Sequence, residues 1–513
     1  MGVIVAMVAF GSATAARADE FDDLLSGGSA PPAGDKTAEK KESPLTFDFK
    51  GETLGKVIAD LQRNTDGKTG FEARGHLFAQ GVFGVSGKLS VLLSGLAEYH
   101  VATDWKDDRT TFEPSLWEFY ATVRLPDLDL KLGQQIVTWG ILDAINPINN
   151  VNPQDFAKIF YFDEGYTRLP IPAARATWYY RPNLYLEGVY IPFFRPMKFD
   201  VVGQDWSILG TEVPVDLLIH LMKNSRTTAG LPDALDRVVP GWGDLLRDHG
   251  DKLERLFDNS VEPRPDDFSA SAGGARTGGS ISGVDFAASY LYHYDDYPTL
   301  EVNPQILRLA RDALNLPRYG ADLARIDARS LLPLFRGIYH RVHTVGLEFG
   351  TSVHDVSLKA EAAYHVGRYA YEKDLSVVPR DVMTWSASAE YTLPGDVTLI
   401  GQYLQTVYPR WSNRLLERQW RHLAMLVARK TFLRDKLECY AAVMYDFSQV
   451  DPNQAKDFDL FRQDWMLAPI LSYSLTDSLK LRAGGVFMGG SRLSLLGYYR
   501  NNSEVFASVK YSF

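Results

Sequence analysis

Cysteine is almost absent from this chain: Cys439 is the only one in 513 residues. A disulfide framework and a cysteine-built metal centre are therefore excluded. After the amino-terminal segment no run of about 18 apolar residues occurs, which excludes membrane-spanning helices. Positive charge is not in surplus either. The 54 Lys and Arg face 64 Asp and Glu, for a net charge of −10, so nucleic acid is a poor partner. Enzyme signatures are missing too: there is no G-x-S-x-G, no H-E-x-x-H and no C-x-x-C-H. No catalytic residue, no cofactor and no metal is expected.

What is present is greasy. Hydrophobic residues make up 45% of the chain and aromatics 12%. A soluble chain of this length would divide into several domains. A transmembrane barrel can use the whole length as one unit, because each strand buries one face in lipid. The amino-terminus fits such an address. Val3 to Phe10 is a short apolar run, and Ala16-Arg17-Ala18 is an A-x-A cleavage pattern. Residues 1–18 therefore read as a signal peptide. Residues 19–45, rich in Gly, Pro, Ala, Lys and Glu, read as a flexible periplasmic tether. The barrel is expected over 46–513.

From Thr46 onward, segments of about ten residues alternate apolar and polar. In Phe71 to Gln80, Phe71, Ala73, Gly75, Leu77 and Ala79 alternate with Glu72, Arg74, His76 and Gln80. The final run, Val505 to Phe513, puts Val505, Ala507, Val509, Tyr511 and Phe513 on one face, opposite Ser508, Lys510 and Ser512. It resembles the last strand of bacterial outer-membrane barrels, and that resemblance implies recognition of Phe513 by the barrel-assembly machinery. Eight tight turns, from Ser86-Gly87 to Thr476-Asp477, alternate with long polar connections, notably 139–172, 196–267 and 295–336. Counting 52–69 as a further connection leaves Thr46 to Gly51 as the first strand. The total is then eighteen strands, with sixteen as the nearest alternative, and both termini in the periplasm. Tyr179, Tyr180, Tyr290, Tyr292, Tyr403 and Tyr408 crowd strand ends, as an interfacial girdle would.

The polar faces supply the expected lumen. Its acids are Glu72, Glu98, Glu118, Asp129, Glu361 and Glu438; its bases are Arg74, Arg124, Lys131, Lys359, Lys480 and Arg482. Six against six predicts mutual pairing and no ring of one sign. The 139–172 loop is dense in polar groups. Asn152 is expected as a helix cap, Pro153 at the first helical position and Asp155 at the third, before Phe156, Ile159 and Phe160. With Trp139 and Asp143, Asn152 and Asp155 mark a constriction loop that folds into the barrel. Helical spacing between Leu231 and Asp258 puts Trp242, Leu245, Leu246, Leu253 and Phe257 on one apolar stripe; Pro304 to Leu316 carries a second, and Val215 to Met222 is a third apolar run. Such helices outside a barrel are expected to form a lid, whose underside would contact an apolar ligand.

Three stretches carry a family resemblance: Leu132 to Gly140 with Asp143 and Asn152-Pro153-Gln154-Asp155; Gly283 to Tyr292 with Tyr294-Asp295; and Arg341 to Gly346. Together they look like markers of an uncharacterised proteobacterial outer-membrane barrel family, often encoded beside an RND-type exporter and a LolB-like periplasmic lipid carrier. The resemblance implies an outer-membrane channel that passes or binds a hydrophobic or lipid-like compound. Alginate-type exporters are a weaker similarity. A general polar-solute porin and a barrel scaffold of a larger periplasmic or electron-transfer complex are the alternatives.

Overall fold

The computed structural model describes residues 45–61, 70–85, 87–103, 109–159, 166–199, 206–207, 223, 232–233, 236, 241, 268–295, 297–302, 335–372, 376–448, 464–490 and 495–513. The wall begins with β1 (Leu45–Asp60), β2 (Phe71–Val85), β3 (Leu89–Thr103), β4 (Arg109–Leu125) and β5 (Leu128–Gln135). It continues with β6 (Ile171–Arg181), β7 (Leu184–Ile191), β8 (Ala272–Ile281) and β9 (Val284–Tyr294). The strands β10 (Thr299–Val302) and β11 (Phe335–Ile338) pair only with each other, as a hairpin inside one connection. Then come β12 (Arg341–Val353), β13 (Val356–Tyr371), β14 (Val377–Leu393), β15 (Val397–Val407) and β16 (Trp420–Phe432). The wall ends with β17 (Leu437–Asp446), β18 (Asp464–Ser474), β19 (Leu479–Gly489) and β20 (Glu504–Ser512).

Neighbours pair antiparallel in chain order, β9 meets β12, and β1 pairs with both β2 and β20. The sheet is therefore a closed, 18-stranded up-and-down barrel with no free edge. Closure finishes at the last residue, whose N–H and carbonyl pair with Gly51 at 2.9 and 2.8 Å. The Phe513 ring lies over Gly51, where even a Cβ would collide with it.

The burial pattern is inverted relative to a soluble protein. On β12, Val345, Leu347 and Phe349 are exposed, while Thr344 and Glu348, at alternate positions, are buried. Lipid takes the place of a core on the outside, and the polar face turns into the lumen. On β20, Val509 and Tyr511 likewise face out while Ser508 and Lys510 are buried within.

Three expectations need correcting. Residues 52–60 are not a connection: β1 continues to Asp60, because Leu54, Lys56 and Ile58 keep the alternation and find register partners on both β2 and β20. Tyr408 is not a girdle residue, since it packs inward with Ala370, Val382 and Leu415. The 139–172 connection runs from 136 to 170, as Ile171 and Pro172 already belong to β6. The helical stretches at 304–316 and around Trp242, Leu245, Leu246, Leu253 and Phe257 lie outside the described residues, as does Val215–Met222.

Candidate functional site: a loop across the lumen and two unlike walls

The connection after β5 turns into the barrel and crosses it. Its described residues are almost all buried, among them Trp139, Ile148 and Asn152. A buried irregular backbone needs partners for its N–H and C=O groups, and asparagines supply many of them. Asn146 Oδ1 accepts from the N–H of Ile148 and of Asn149, both at 3.0 Å, while its amide donates to the Trp139 carbonyl. Gly140, at φ 96°, sits against that amide, where any Cβ would collide with it.

Asn152 does not cap a helix. Its Oδ1 accepts from Val137 N at 2.8 Å, and its Nδ2 donates to the carbonyls of Gln135 and Leu169, at 3.2 and 2.9 Å. It staples the start of the loop to its end. Gln154 and Asp155 are extended and bridge to Arg168 and Lys198, so the helix expected after Pro153 shrinks to a 3-10 turn at Ala157–Ile159. Tertiary pairing outcompeted the local capping signal.

The wall meets this loop with side chains from many strands. Glu361 on β13 accepts the N–H groups of Ile141 and Leu142 at 2.5 and 2.7 Å. One turn of alternation away, Lys359 holds Asp143 at 2.7 Å. Gln402 on β15 both accepts from and donates to the Ile145 backbone. From the other side come Glu187 to the Trp139 indole (2.7 Å), Glu118 to Ile136 N (2.9 Å), Glu98 to Lys158 (2.5 Å) and Glu52 to the Tyr166 hydroxyl (2.7 Å). Ile148 lands on β12 at Gly346, where a Cβ would stand 2.9 Å from it. Anchors on β1, β3, β4, β7, β12, β13 and β15 mean the loop spans the lumen.

Most remaining lumen charges of this wall are paired. Arg74 binds Glu72 (3.0 Å), which also meets His100. Arg276 grips Glu348 in a bidentate pair (2.9 and 2.5 Å), and Arg175 pairs with Glu187. Arg124 faces Asp129 in register, and the Lys131 ammonium lies over the Tyr120 ring at 5.2 Å. Further round the barrel, on β19, Arg482 stands in register with Ser472 and Ser508, and Lys480 with Ser474 and Lys510. Just past the end of β9, Asp295 forms a buried two-point pair with Arg368 near the end of β13. Burial alone would raise that carboxyl; the guanidinium outweighs it and holds it below its ordinary value.

The opposite wall is different. Met425, Met444, Met466 and Met488 stand on four successive strands, β16 to β19, each in direct register with the next. All four are buried inside the barrel. The adjoining level is Ile400, Val427, Ala442 and Ala468. An ion pair bounds the band at each end: Arg421 with Asp446 (2.9 Å) and Arg429 with Glu438 (2.7 Å). From Leu423 to Val427 the apolar strip is about 14 Å tall, taking about 3.4 Å per residue.

Among the sequence-predicted residues, Trp139, Asp143, Asn152, Lys359, Glu361 and Glu118 come together at the loop, whereas Glu438 lies on the far wall. Sequence reasoning missed Glu52, Glu187, Arg276, Glu348 and Gln402, although alternation through Tyr185, Glu187 and Val189 marks Glu187 as inward. It also missed the methionine row, for which no local signal exists.

By fold and site this is a transmembrane β-barrel with an occupied lumen. The family described as "Protein of unknown function (DUF1302)" matches residues 7–393, and the chain belongs to that family. No curated protein matches the sequence. Among solved structures it is similar to OccK5 (OpdH) of Pseudomonas aeruginosa, at 11% identity over 91% of this chain and 98% of that one, with a TM-score of 0.45. OccAB1 of Acinetobacter baumannii is similar at 9% identity, 91% and 96% coverage and TM-score 0.47. OccK2 (OpdF) of Pseudomonas aeruginosa, solved in complex with glucuronate, is similar at 12% identity, 91% and 98% coverage and TM-score 0.45.

Proposed function

We propose that this protein is a bacterial outer-membrane conduit that binds or passes a hydrophobic or lipid-like compound and catalyses no reaction. The supporting observation is the methionine band. A lumen wall facing only water and polar solutes is polar, yet here four thioethers and their aliphatic neighbours form one inward strip. Methionine's unbranched, polarisable side chain adapts to ligands of varied shape. The 136–170 loop, which reaches Gln402 beside Met425, presents polar groups where a headgroup would lie. A lid containing Trp242, Leu245, Leu246, Leu253 and Phe257 would capture the compound at the mouth. A periplasmic lipid carrier and an RND-type exporter would act on the inner side. Phe513, exposed at the rim, would serve the assembly machinery.

The ion-paired wall favours a second reading, a porin for polar solutes. Planar-bilayer recordings separate the two. Small conductance blocked by a micromolar fluorescent fatty acid is expected. Large, steady, weakly selective conductance without blockade would transfer the assignment to the polar porin.

A further inference from the structure

Outside the lumen, the wall between β3 and β4 has a defect that the lipid-facing surface does not otherwise need. A groove of about 400 Å³ opens there, lined by Leu77, Ala79, Gly95, Ala97, Pro114 and Leu116, with Leu96 at its floor. Leu77 and Leu116, at its rim, are exposed on the outer surface. Gly95 and Pro114 lie near mid-strand, at bilayer depth.

The ladder is interrupted at this place. Register slips between Leu93 and Gly95, leaving one extra residue on β4, and Pro114 has no N–H to give. In lipid every freed backbone group needs an internal partner, and side chains supply them. The Ser94 hydroxyl accepts from Glu118 N (2.9 Å), Ser115 Oγ donates to the Leu96 carbonyl (3.1 Å), and Gln134 donates to the carbonyls of Leu116 and Trp117 (2.7 and 2.6 Å). Side chains thus serve the groups the bulge frees, and the register resumes at Gly95–Leu116.

The inner face of the same stretch is apolar too. Leu96 belongs both to the groove and to a lumenal cluster with Phe78, Trp117, Tyr166 and Leu169. Tyr166 and Leu169 come from the loop that crosses the lumen, and Tyr166 meets Trp117 edge-on at 5.5 Å.

We infer that this is a lateral port, at which an acyl chain of the surrounding bilayer inserts between β3 and β4 towards the lumen. The medium at that depth is hydrocarbon, so an apolar hollow there is filled by acyl chain. Leu96 is the partition, and the loop's Tyr166 and Leu169 form its inner seal. Use of the port for transport rests on the lipid-conduit reading; occupancy of the groove does not.

Proteoliposomes containing phosphatidylcholine with a diazirine in its acyl chain test the inference, with adducts mapped by mass spectrometry. Labelling at Ala97 and Leu116 should exceed that at Leu347 and Leu426 elsewhere on the lipid face, and some should reach Trp117 or Tyr166. Gly95→Leu should remove both sets. The backbone accepts its Cβ, whose nearest neighbour is the Ser115 carbonyl oxygen at 3.7 Å. Leu96→Ala should raise inner labelling. Heat-modifiable migration verifies folding of each variant. Even labelling around the barrel, or labelling that stays on the outer rim in Leu96→Ala, overturns the port. Fatty-acid binding in detergent keeps the two proposals apart: a wild type that binds none but is labelled through the groove retains the port and loses the conduit.

Discussion

The lumen has two halves that solve burial differently. From β1 through β9 and on to β13, the charged inward residues are spent on one another or on the crossing loop, beside apolar inward patches such as Phe78, Leu96 and Trp117. From β15 to β19 the middle of the same inner face is aliphatic and thioether, with ion pairs only at its two ends. A charge inside a barrel needs a partner at fixed geometry, because an unpaired one is costly. The polar half is therefore committed to a single loop arrangement. The methionine half carries no such geometric demand and can pack against variable shapes.

The sharpest way to break this contrast is to excise the loop between Trp139 and Arg168 and bridge the gap with a short glycine linker. Conductance in planar bilayers should rise severalfold while the barrel still forms; no rise would mean that the loop does not limit the passage. On the other wall, Met444→Ala should leave conductance nearly unchanged and weaken fatty-acid binding. Its cost in stability is about 2–5 kcal/mol, as for a buried methionine truncated to alanine, and heat-modifiable migration would show whether the barrel tolerates it. Equal fatty-acid affinity in wild type and variant would remove the apolar half from the argument.

A smaller effect is expected where the crossing from β15 to β16 packs on the rim. Glu417 is buried there, accepting from Tyr371 N at 3.3 Å. Burial, only partly opposed by backbone hydrogen bonds, lifts its carboxyl from 4.5 to about 7. The folded form then holds its proton more tightly than the unfolded chain does. Stability from this group is full below pH 4.5, falls as pH rises towards 7, and levels off above it. The loss is at most about 3 kcal/mol. Hydrogen exchange of residues 408–419 should accelerate from pH 5 to pH 8 beyond the intrinsic chemical rate, and Glu417→Gln should abolish the excess. An identical excess in the variant would assign it to another group.

The least change is expected from Glu361→Gln, which keeps an acceptor for Ile141 and Leu142. Glu361→Ala leaves both N–H groups buried without one, at about 1–3 kcal/mol. Limited proteolysis within 136–170 should follow that order: wild type, then Gln, then Ala. Indistinguishable cleavage in all three would show that Glu361 does not hold the loop.

The sequence by itself determined the barrel. Strand alternation, the tight turns and the terminal Val505–Phe513 strand are local patterns with period two, and closure with eighteen strands follows from counting them. The inward position of Glu72, Lys359 and Glu361 follows from the same parity. Tertiary structure alone decided what those side chains do. Asn152 carries a strong capping signal, yet it staples two ends of a loop, because partners at Val137 and Leu169 outbid a local N–H. Tyr408 reads as a girdle residue and is buried under a rim loop. The four methionines lie far apart in sequence and become one row only through interstrand register. Period and parity act within a strand and are written locally; register and loop insertion depend on which distant groups meet, and no local pattern records that.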